Sequence, residues 1–86
     1  MASIEEVRAG IHSANEKAKE SLGALQQAQS SLEQAQAELQ RATEGSGQGD
    51  VSEANGLLAQ AVSGVGELQQ SVQAAIQAAE SVANRL

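Results

Sequence analysis

Leu25-Gln26-Gln27-Ala28-Gln29-Ser30-Ser31-Leu32-Glu33-Gln34-Ala35-Gln36-Ala37-Glu38-Leu39 is the stretch that decides the fold of this chain. Leu25, Leu32 and Leu39 recur at every seventh residue, Ala28 and Ala35 follow three places after a leucine, and mostly Gln, Glu and Ser stand between them. A repeat averaging about 3.5 residues keeps one stripe of a helix apolar and leaves the rest to water. Extended outward with Ile4 as heptad position a, the a series is Ile4, Ile11, Ala18, Leu25, Leu32 and Leu39. The d series is Val7, Ala14, Ser21, Ala28, Ala35 and Ala42. A second run has Val51, Leu58, Val65, Val72, Ala79 and Leu86 at a, with Ala54, Ala61, Leu68, Ala75 and Val82 at d.

Between the two runs lies Glu44-Gly45-Ser46-Gly47-Gln48-Gly49-Asp50, whose glycines alternate with polar residues and read as a turn. Ser3 with Glu6 has the spacing of a capping box at the start of helix one, and Asp50 with Glu53 repeats it for helix two. Gly45 stands where a left-handed residue closes a helix. The chain therefore reads as one all-α domain over 1–86, with a helix at 3–44, a Gly-rich turn at 45–50 and a helix at 51–86. Folded as an antiparallel, coiled-coil-like hairpin, it pairs a with d positions whose numbers add to about 93. Leu32 then meets Ala61 and Ala35 meets Leu58, large against small.

Composition narrows the function. The chain has no aromatic residue, no Cys and no Pro, so the core must come from Leu, Ile, Val and Ala, with no disulfide or thiolate metal site in support. A net charge of −6 argues against nucleic acid, whose binders cluster Lys and Arg, and against an anionic membrane surface. No apolar run approaches the roughly 20 residues of a bilayer span. The acidic start Met1-Ala2-Ser3-Ile4-Glu5-Glu6 is unlike a secretory signal. Location is expected to be cytoplasmic, or outside the cell by a leaderless route.

Several motifs have plainer readings than the chemistry they suggest. His12 and Glu16 are one helical turn apart, but with no second His and no Cys they read as surface residues rather than metal ligands. Asp50–Ala61 has the length of a calcium loop, yet its glycine is one place late and Ala61 stands where a bidentate Glu is required. Gly45, Gly47 and Gly49 lack the Lys-Ser or Lys-Thr of a phosphate loop. One histidine on a polar face cannot assemble a nucleophile, a base and an orienting group. No enzyme activity, cofactor or small-molecule substrate is expected. Gly64 and Gly66 mark a soft spot or a place where another helix comes close.

One apolar feature lies outside the a and d series. Leu22, Val62 and Ile76 fall at e positions, which an antiparallel hairpin brings to one side, and a two-helix protein has no further layer to cover them. This strip is the expected partner interface, with simple widening of the core stripe as the alternative reading. It joins two hairpins into a four-helix bundle, as a homodimer or with a similar hairpin protein.

The layout resembles the small WXG-type helical hairpins of type VII secretion systems, with Gly45-Ser46-Gly47 in place of the Trp-x-Gly motif. Ile4-Glu5-Glu6-Val7-Arg8-Ala9-Gly10-Ile11, Leu25-Gln26-Gln27-Ala28 and Ala78-Ala79-Glu80-Ser81 are similar to uncharacterised Ala/Gln-rich helical-hairpin proteins of actinobacteria. These resemblances imply pairing into bundles and an accessory role in secretion or beside a toxin. The expected function is a non-catalytic interaction module, with a purely structural or scaffolding coiled coil as the alternative.

Overall fold

The computed structural model describes residues 2–44 and 49–86, and the side chains of all of these except 49 and 50. Nearly all of them lie in two α-helices, α1 (Ile4–Ala42, 39 residues) and α2 (Gly49–Arg85, 37 residues), and no strand occurs among the described residues. Ser3 starts α1 as its sequence pattern predicts. Its backbone is extended and its Oγ accepts the Glu6 N–H at 3.1 Å, satisfying one of the open donors of the first turn. The Glu6 carboxylate returns the contact by accepting the Ser3 hydroxyl at 3.4 Å.

At the other end α1 stops at Ala42, short of the expected 44. Thr43 donates its N–H to Leu39 O at 3.1 Å and Glu44 its N–H to Arg41 O at 3.4 Å, while the Thr43 Oγ1 donates to Leu39 O at 2.6 Å. This side chain closes the last turn itself. Arg41 and Arg85 stand in the last turns, where cations complement the helix dipole. α2 already includes Gly49, ahead of the expected 51. The predicted left-handed Gly45 and the predicted side-chain cap at Asp50 lie outside the described residues.

Three points tie the helices together and set their direction. The Asn15 side-chain amide donates to Ile76 O at 3.5 Å, and the Gln29 amide nitrogen lies 3.9 Å from where a Gly66 Cβ would stand. Arg8 and Ile11 share a groove with Ala83 and Asn84. Numbers rise along α1 as they fall along α2, so the helices are antiparallel and form a hairpin. Its extents, 64 × 18 × 15 Å, agree, because the two helices end to end would reach about 110 Å at about 1.5 Å per residue.

The seam corrects the expected a and d pairing. The half-buried and buried residues of α1 are Ile11, Asn15, Ala18, Leu22, Leu25, Gln29, Leu32, Gln36 and Leu39, with Ala35 beside them. Those are a and e positions. In α2 the same pattern runs through Asn55, Leu58, Val62, Val65, Gln69, Val72, Ile76, Ala79 and Ala83, with Val51, Ala54, Ala61, Gly64 and Gly66 also half-buried. Among d residues, Val7 is 38%, Leu68 54% and Val82 39% exposed.

The expected exposed strip is corrected with it. Leu22 and Val62 are half-buried and Ile76 is buried at 7% exposure, because these e residues lie between the helices rather than on an outer flank. Each arrangement brings in three large aliphatic side chains, Leu22, Val62 and Ile76 on the e side or Val7, Leu68 and Val82 on the d side. The smaller residues decide between them. On the e side Gln29, Gln36 and Gln69 offer methylene stems that fill the space between helices while their half-buried side chains keep access to water, and Asn15 is buried with its amide bonded to Ile76 O. The d side offers mainly alanines, which leave more of that space unfilled.

Candidate interaction surface

With a and e inward, each helix has b residues on one side of the seam and d residues on the other. In an antiparallel pair like positions share a side. The grooves on the surface place the b residues together: Lys19 with Gln73 and Glu80, and Gln26 with Gly66 and Gln73. This flank is polar, and His12 belongs to it. His12 Nε2 stands 3.9 Å from Glu16 Oε1 with both side chains mostly exposed, an ordinary surface pair. A second exposed pair joins Lys17 and Glu20 at 3.4 Å. No group of three or more His, Cys, Asp or Glu side chains placed to hold a metal ion occurs among the described residues.

The opposite flank carries the d residues and is apolar. The tie points set Leu32 level with Val62 and Leu25 level with Gln69. On the d flank they bring Ala14 within half a turn of Val82, Ser21 of Ala75, Ala28 of Leu68 and Ala35 of Ala61. Leu57, 57% exposed, stands beside this row at a g position. At the end where α1 begins and α2 finishes, Ile4 (56%), Val7, Val82 and Leu86 (40%) are all exposed. The expected close approach at Gly64 is not made by any of the described residues, since none lies within 4 Å of where its Cβ would be. α2 continues through Gly64 and Gly66 without interruption.

Sequence reasoning identified the types of these residues and misassigned their sides. Leu68 and Val82 looked like core because they continue the heptad. Gln29 and Gln36 looked like solvent residues because they are polar, although they, like Asn15 and Gln69, each stand next to an a residue on the helical wheel. The hairpin therefore presents one apolar and one amide-rich flank. Neither helix is long and apolar enough to cross a membrane. No protein-family model, curated protein or solved structure matches this chain.

Proposed function

We propose that this chain is a non-catalytic interaction module that works by pairing with another helical hairpin, through the apolar d flank its own fold leaves open. One observation carries the reading. Ile76 is the single buried apolar side chain among the described residues, while Ile4, Val7, Leu57, Leu68, Val82 and Leu86 are exposed. Burying a Leu or Val side chain contributes roughly 1.5 to 3 kcal/mol, and ordering each residue costs about 1.5 kcal/mol. A hairpin with so little enclosed apolar surface gains from a partner that covers the rest.

Sedimentation equilibrium and thermal melts across two decades of micromolar concentration test this. The expected result is a mass above that of one chain and a melting midpoint that rises with concentration, because association stabilises by mass action. A monomer with a cooperative, concentration-independent melt would falsify self-pairing. The hairpin layout further suggests a secretion- or toxin-associated setting, which co-purification from the native source would test.

A further inference from the structure

Resting on that pairing reading, we infer that the occupant of the d flank is a second copy, seated with its loop at the same end and its α2 lying over α1 of the first. The size of the surface selects a hairpin as occupant. The hairpin as a whole measures 64 Å by 18 Å, so the face that carries the d residues offers at most about 1,150 Å² in projection. A stable dimer needs about 800 Å² per partner. A single helix about 10 Å wide covers only one of its two rows.

The side chains fit a copy in this orientation. The d row of α1 beyond Val7 is small, Ala14, Ser21, Ala28 and Ala35, whereas α2 presents Leu68 and Val82. A two-fold axis along the hairpin sets each α1 against the partner's α2 at unchanged level. Leu68 of one copy then comes down near Ala28 of the other, and Val82 near Ala14. Ile4, Val7, Val82 and Leu86 crowd one end of each hairpin, so the same axis gathers both sets into one apolar cluster. Reversing the partner would place these exposed residues level with Ala42, Thr43 and Glu44 instead.

The chain contains no cysteine, so Ala2→Cys gives one spin-label site per copy, at the exposed end of the hairpin. Electron–electron dipolar spectroscopy should return a distance of about 20 Å, the diagonal of about 14 Å across a bundle with helices about 10 Å apart lengthened by the two label arms. A dimer giving about 60 Å, near the 64 Å length of the hairpin, overturns the orientation while leaving pairing intact. A monomeric mass with no dipolar coupling overturns both. Leu68→Lys should weaken association at least tenfold, with Gln70→Lys on the polar face leaving it unchanged. Undiminished association of Leu68→Lys shows that the copies meet on another face.

Discussion

Asn15 and Asn55 occupy e positions in α1 and α2, and their amides have different surroundings. Asn15, 7% exposed, donates to Ile76 O across the seam, whereas Asn55 Oδ1 is buried without a hydrogen-bond partner. An unsatisfied buried acceptor costs about 1 to 3 kcal/mol. Alanine is also the better helix former, by up to about 0.7 kcal/mol. Asn55→Ala should therefore stabilise the protein by about 1 to 2 kcal/mol in chemical denaturation. Asn15→Ala removes a satisfied contact and leaves a gap beside Ile76, and the same measurement should show a loss of about 1 kcal/mol. Equal effects at both positions would mean that the cross-helix bond contributes nothing. Asn15 keeps a polar group at a core position, a device that costs stability and favours one alignment of paired helices.

Gly23 and Gly56 stand at f positions of the two helices, exposed, with nothing within 4 Å of where a Cβ would be. Each costs its helix up to about 1 kcal/mol relative to alanine. Gly23→Ala and Gly56→Ala should each raise the melting midpoint by about 4 to 8 °C, the shift that about 1 kcal/mol produces in a domain this size. A drop at either site would place a neighbouring chain against that face. The helices themselves were legible: seven-residue spacing from Ile4 to Leu39 and Val51 to Leu86 marks both, and Ser3 with Glu6 marks the first start. The end at Thr43 was less so, because it depends on a threonine hydroxyl turning back to Leu39 O. The choice of seam was hidden for a stronger reason. The apolar sector covers d, a and e, and both edges carry three large aliphatic residues. Only the packing of asparagine and glutamine stems separates them, and a polar label conceals it.

As a whole the molecule is a rod with an amide-rich flank and an apolar one, and its hairpin can be checked directly. Leu32→Cys with Val62→Cys, level across the seam, should form an intramolecular disulfide rapidly on oxidation, since facing positions in a close helix pair fall within reach. Glu33→Cys with Val62→Cys points one sulfur to solvent and should close far more slowly. Gel mobility under non-reducing conditions reads both, and cross-links solely between chains would mean that α2 packs on a neighbour. The thin seam has a kinetic consequence. Ile76 and Asn15 are its only buried side chains among the described residues, so separating the helices disrupts little interlocked packing. Opening then lies low on the free-energy scale. Backbone deuterium should enter and leave the free chain quickly, and isotopically distinct copies should trade partners rather than remain locked in their first encounter. On the pairing proposed above, such a module would keep sampling what is available to it, and its associations would follow the current supply of partners rather than the history of its synthesis.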